Sequence, residues 1–258
     1  MEKPLILVVN DDGITAPGIR KLISLMLPLG DVVVVAPDSP QSGMGHAITL
    51  NATLRCDKVY IDEGPQEEYS CSGTPVDCVK LAVNVILPRK PDLCVSGINH
   101  GSNSSINVIY SGTMSAAVEG SLEGIPSVGF SLLDNSMSAN FDAVDKYVTT
   151  IVKQVLSNGL PKGTCLNVNI PKTENILGIK VCRQANANWE EEFDERVDPM
   201  GKKYYWLTGK FINYDGGEDT DEWALAHQFV SVVPVQYDVT AHHAMPTLNT
   251  FDWNVEEK

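Results

Sequence analysis

Basic residues are scarce in this chain: 19 lysines and arginines stand against 33 aspartates and glutamates, a net charge of -14 over 258 residues. That balance argues against binding a nucleic-acid polymer, which needs a basic surface to neutralise phosphates, and it leaves no polybasic anchor for a membrane. Long apolar runs are missing too. None reaches the roughly 18 to 20 residues that cross a bilayer. The opening "MEKPLILVVNDDG" breaks on two acids after a short apolar run, unlike a secretory signal. The six cysteines (Cys56, Cys71, Cys78, Cys94, Cys165 and Cys182) form no C-x-x-C pair. They make no zinc site and read as reduced core thiols of a cytoplasmic protein. Three fingerprints are absent as well. The turn after the first apolar run lacks G-x-G-x-x-G, and neither G-x-x-x-x-G-K-[ST] nor G-x-S-x-G occurs. Dinucleotide binding, P-loop chemistry and an α/β-hydrolase are therefore disfavoured.

What is present is an alternation. Short runs rich in valine and isoleucine at Leu5–Val9, Asp31–Ala36, Asp92–Ser96 and Ser127–Phe130 read as buried strands. Helical patterns lie between them. From Gly18 to Leu29 one face carries Ile19, Leu22, Ile23 and Met26, and Pro17 suits the first turn. "GTPVD" starts a second helix, with Thr74 and Asp77 spaced as a capping box and Pro88 as the stop. A third runs from about Thr113 to Gly124, and a fourth from about Phe141 to Asn158, ended by Gly159. Alternating strands and helices predict an α/β fold with a mostly parallel sheet covered on both faces. Beyond Pro161 strand signals dominate and convincing helices are few. The chain reads as one α/β domain, residues 1–171 forming the core and 172–258 a β-rich extension.

Ligands of open parallel sheets bind outside the carboxyl ends of the strands. There the first three strands release "NDDG", "APDSPQSGMGH" and "SGINHGSNSSINVIYSGT", each polar and short-chained after an apolar run. Asp11 and Asp12 offer carboxylates, Ser42 a hydroxyl and Asn99 an amide carbonyl. An all-oxygen set of this kind suits Mg²⁺, Mn²⁺ or Ca²⁺, and a cation would remove the repulsion between the adjacent acids. Ser111, Gly112 and Thr113 stand at a helix start, where free N–H groups favour an anion such as phosphate. The combination points to metal-assisted phosphate chemistry. Each piece has a plainer reading: Asp-Asp-Gly alone is a common turn, and "SGT" is often only a cap. His46 and His100 are candidate proton donors or local hydrogen-bonders. A non-catalytic nucleotide sensor and a structural oligomerisation module remain alternatives.

"ILVVNDDGITAPGI", "VVVVAPDSPQSGMGHAIT", "CSGTPVDCVKLA", "PDLCVSGINHGSN", "YSGTMSAAVEG" and "LNVNIP" together resemble, in order, the SurE (survival protein E) family of metal-dependent nucleotidases. "VSVVPVQYDVTAH" matches its late segment more loosely. The resemblance implies hydrolysis of nucleoside 5'- and 3'-monophosphates, with short polyphosphate as a further substrate of some members. It implies one divalent cation on Asp11, Asp12, Ser42 and Asn99, with Asp11 and Asp12 the catalytic pair. Phosphate would lie at Asn103, Ser111, Gly112 and Thr113. It further implies a Rossmann-like core, with a β-hairpin and C-terminal arm joining subunits into a homodimer or homotetramer. Gln41 stands where many relatives carry arginine, and Val233 where threonine is usual.

Overall fold

The computed structural model describes residues 3–136 and 139–254. Its centre is β1 (Leu5–Val9), all five residues of which are buried. Ile6 and Val8 enter one hydrophobic cluster, Leu7 and Val9 the other. A strand that feeds two cores with alternate side chains has no solvent face, hence its unbroken apolar run. α1 (Pro17–Met26) covers the first cluster through Ile19, Leu22, Ile23 and Met26. The chain returns as β2 (Asp31–Pro37), parallel to β1.

An antiparallel pair follows, β3 (Cys56–Val59) and β4 (Glu67–Cys71), with β4 parallel to β2. Sequence reading did not anticipate these two strands. In their register Cys56 lies opposite Cys71, and the two form a disulfide. This corrects the expectation that all six cysteines are reduced; Cys78, Cys94, Cys165 and Cys182 are free and buried.

α2 (Pro75–Leu81) begins on the expected capping box: Asp77 N–H donates to Thr74 Oγ1 and Thr74 N–H to Asp77 Oδ2. Asp77 also accepts from Thr49 N–H at 3.1 Å and Thr49 Oγ1 at 2.6 Å, which ties down the loop leaving β2. Asp77→Ala removes the cap and this anchor together. We expect a loss of about 2 kcal/mol, read as a lower denaturant midpoint with an unchanged slope.

β5 (Leu93–His100), α3 (Gly112–Leu122), β6 (Ser127–Leu132), α4 (Asp145–Asn158) and β7 (Thr164–Ile170) complete the core. α1 and α4 share one face of the sheet; α2 and α3 pack on the other. Beyond it, β8 (Gly178–Val181), β9 (Ala187–Glu190), β10 (Phe193–Val197), β11 (Lys203–Leu207) and β12 (Lys210–Asn213) precede α5 (Asp221–Ala226) and β13 (Phe229–Gln236). The nine-stranded sheet has the order β3-β4-β2-β1-β5-β6-β7-β13-β8, antiparallel at β3–β4 and β7–β13 and parallel elsewhere. β10–β11 and β9–β12 form separate antiparallel ribbons. The Rossmann-like core and β-rich extension are as expected, while α5 and a final short α6 (Met245–Leu248) add helix to a region read as nearly all strand. Among the described residues no helix is long and apolar enough to cross a membrane.

The chain leaves β1 to one side for β2 and later returns to its other side as β5. The crevice between the carboxyl ends of β1 and β5 is thus the topological switch point of the sheet.

Candidate active site

At that crevice lies a cleft of ≈ 240 Å³ lined by Asp11, Asp12, Ser42, Asn99, His100 and Ser111, with Ser102, Asn103, Asn107 and Tyr110 along one wall. β1 delivers the acids through a turn that needs Gly13 at φ +96°, a region that side chains with a Cβ rarely adopt. Asn10 Nδ2 donates to Gly13 O across this turn at 2.9 Å. Gln41 N–H donates to Asp11 O at 2.7 Å and so docks the loop carrying Ser42 against the acids.

Asp11 is only 4% exposed. Thr113 Oγ1 donates to its Oδ1 at 2.5 Å, yet burial and the neighbouring Asp12 charge push its carboxyl up to about 6. Burial also raises Asp12, with His100 beside it pulling the other way. Asp12 Oδ2 and Asn10 Oδ1 are buried without any hydrogen-bond partner. An orphaned carboxylate oxygen costs free energy unless something positive faces it. From β5, Asn99 spends its amide N–H groups on His100 O and Gly101 O, at 3.1 and 3.0 Å. Its Oδ1 is left as an acceptor. Two carboxylates, an amide carbonyl and a hydroxyl therefore meet with unused oxygen valence, which fits a hard divalent cation. Among the described residues, no three His, Cys, Asp or Glu side chains cluster as a metal site.

The four residues expected to face phosphate divide. Asn103 and Ser111 line the cleft. Gly112 and Thr113 lie behind it: Thr113 is fully buried against Asp11, and a Cβ on Gly112 would stand 2.6 Å from Asp11 Cβ. Both pack against Asp11. Ser111 Oγ caps α3 by accepting from Met114 N–H at 3.0 Å.

The histidines divide as well. His100 is on the cleft, edge-on to Phe141. His46 is not; its Nε2 lies 2.9 Å from Glu119 Oε2, a buried acid of α3 that Lys80 also meets at 2.6 Å. His46 thus ties its loop to α3, the local hydrogen-bonding role expected as the alternative to proton donation.

A buried amide ladder escaped sequence reading. Asn169 Oδ1 accepts from Asn103 N–H, Asn167 Nδ2 donates to Asn103 O and Asn103 Nδ2 to Ser131 Oγ, each at 2.8 Å. These bonds lock the main chain of Asn103. The signal was available in "LNVNIP", where asparagines interrupt a buried strand.

Residues 6–191 match the family described as Survival protein SurE. The chain belongs to the SurE family. A 5'-nucleotidase SurE of Christiangramia forsetii is 68% identical over 256 residues, which cover 98% of each chain. That of Flavobacterium psychrophilum is 65% identical over 256 residues, covering 98% of this chain and all of the relative. The crystal structure of the SurE protein from Aquifex aeolicus superposes with a TM-score of 0.83 at 42% identity, over 95% of this chain and 98% of the other. The SurE fold thus extends through the β-rich extension, beyond the matched residues.

Proposed function

We propose that the chain is a divalent-metal-dependent phosphomonoesterase that hydrolyses nucleoside 5'-monophosphates, and 3'-monophosphates, to nucleoside and phosphate. The observation that carries this reading is the pairing of buried Asp11 with half-buried Asp12, whose Oδ2 has no hydrogen-bond partner, at the switch-point cleft, in a chain whose relatives are named 5'-nucleotidase. Asp11, Asp12, Ser42 and Asn99 would hold the cation. When bound, Mg²⁺ or Mn²⁺ (Ca²⁺ fits the same oxygens) supplies Lewis acidity toward a phosphoryl oxygen and lowers the pKa of water at the site.

The protein does the rest by position. Thr113 fixes the rotamer of Asp11 and leaves Asp12 as the carboxylate with the open oxygen, suited to accept the attacking water's proton. Asn103, locked by its amide ladder, and Ser111 orient the phosphate. His100 lies on the same cleft and is the candidate donor of a proton to the leaving alkoxide. Short polyphosphate presents the same terminal phosphate and is a further candidate substrate. Exposed Phe193, Tyr205, Trp206 and Leu207 on the β10–β11 ribbon supply an apolar surface for a homodimer or homotetramer, in the cytoplasm.

The test is phosphate release from nucleoside monophosphates with and without chelator. Turnover should vanish in chelator and return with Mg²⁺ or Mn²⁺. Full activity in chelator would sink the metal dependence; binding without phosphate release would make the protein a sensor.

A further inference from the structure

Ser102 lines the cleft, and its hydroxyl lies 2.5 Å from that of Ser104. Ser104 Oγ donates in turn to Glu222 Oε1, in the first turn of α5, at 2.5 Å. Ser104 is 2% exposed, and neither it nor Glu222 lines the cleft. The chemistry of the three groups sets the direction of the chain. An ionised carboxylate only accepts, so Glu222 takes the Ser104 hydrogen. The Ser104 oxygen must then accept, and the hydrogen it accepts is that of Ser102. Ser104 N–H also donates to Ser102 Oγ, at 3.1 Å. With its hydrogen engaged by Ser104, Ser102 Oγ faces the cleft through a remaining lone pair, as an acceptor.

A phosphate oxygen also carries only lone pairs, so that acceptor disfavours it and calls for a neutral donor. No lysine or arginine lines the cleft. In a nucleotide the donors nearest the phosphate are the sugar hydroxyls, and base amino groups lie further out. Ser102 stands three residues from Asn99 and beside Asn103, at the phosphate end of the wall. A cleft of ≈ 240 Å³ is small for a whole nucleotide, and Tyr110 on its wall is 54% exposed.

We propose that Ser102 is a specificity-determining acceptor for a sugar hydroxyl of the nucleotide, and that Glu222 is a positioning residue that aims it through Ser104. The inference rests on the phosphomonoesterase reading above. It gives the β-rich extension a part in the site, since Glu222 reaches the cleft wall from α5. Asp221, next in the chain, secures that approach by accepting from Ser105 N–H at 2.8 Å and Ala185 N–H at 2.9 Å.

The experiment compares a ribonucleoside 5'-monophosphate with its 2'-deoxy and 3'-deoxy counterparts, with Mg²⁺ present. It reads kcat/KM and the equilibrium dissociation constant for the wild type and for Ser102→Ala, Ser102→Thr, Ser104→Ala and Glu222→Gln. One neutral hydrogen bond corresponds to roughly two- to tenfold. The wild type should disfavour one deoxy compound by that factor. Ser102→Ala should bring the ratio to about one, Ser104→Ala and Glu222→Gln should lower it part-way, and Ser102→Thr, which keeps the hydroxyl, should retain it. A purely structural role for these residues would lower all three substrates alike and leave the ratio untouched. An unchanged ratio in Ser102→Ala overturns the proposal, and so does a wild-type ratio of one for both deoxy compounds while phosphate release continues. If the wild type releases no phosphate from any nucleotide, the nucleotidase reading fails. The dissociation constants then decide alone: loss of their ratio in Ser102→Ala supports the acceptor, and persistence overturns it.

Discussion

Asp11→Asn will cut phosphate release by about 10²- to 10³-fold and, in chelator, raise the melting temperature. The two effects share one cause. Asp11 is buried beside a second acid with a single side-chain hydrogen bond, from Thr113, so its negative charge is held at a cost in the metal-free protein. Asparagine keeps Oδ1 for that bond and removes the charge. The sign follows from the raised carboxyl. A group at about 6 in the folded state and 3.8 when unfolded destabilises fully above pH 6, and the penalty fades as the pH falls toward 3.8. At pH 7.5 the variant should therefore gain about 3 kcal/mol, roughly 6 to 12 °C, and near pH 4 only a small fraction of that. Saturating Mg²⁺ or Mn²⁺ should reverse the order, because a cation at about 1,000 times its dissociation constant stabilises the wild type by about 4.1 kcal/mol. Losing a ligand worth several kcal/mol to the transition state lowers kcat/KM by about 10²- to 10³-fold. Wild-type turnover, or a variant less stable than the wild type in chelator, would contradict this account.

The core was legible because β1, β2, β5 and β6 are buried on both faces, and a two-sided strand has to be an apolar run. β3 and β4 carry "CDKV" and "EEYSC", charged segments on one margin of the sheet, and no such run marks them. Their pairing is a tertiary fact, and with it the Cys56–Cys71 bridge between residues that look unrelated in sequence. α5 is six residues long, too short for periodicity to announce, although Thr220 caps it by accepting from Trp223 N–H.

Residue type and strand ends brought Asp11, Asp12, Ser42, Asn99, Asn103 and Ser111 forward, and the structure gathers all six at one cleft. Side-chain direction was beyond reach of the same reasoning. His46 follows Ser42 on the same loop, yet turns to Glu119, a partner on a distant helix. Thr113 points back at Asp11, because helical side chains next to one another leave on different faces. Glu222 lies more than a hundred residues from the wall it supports.

Gly18→Ala tests how α1 and the site strand depend on each other. At most exposed helical positions alanine is better than glycine by about 1 kcal/mol. Here the sign should reverse. A Cβ on Gly18 would stand 1.9 Å from Ile98 O and 3.0 Å from Ile98 C, both backbone atoms, so no flexible side chain can yield. Either α1 lifts from the core that Ile19, Leu22 and Met26 fill, or the Gly97–Asn99 segment moves. Overpacking of this kind costs about 3 kcal/mol, a fall of roughly 6 to 12 °C in melting temperature. Activity should fall further than stability explains, because Asn99 follows Ile98 directly and a shift near 1 Å in a positioned group costs about 10²-fold. Gly216→Ala is the control: nothing lies within 4 Å of its added Cβ, and both readouts should match the wild type. A Gly18→Ala protein as stable and active as that control would mean that α1 and β5 move apart freely, and that the close approach does not hold Asn99 in place.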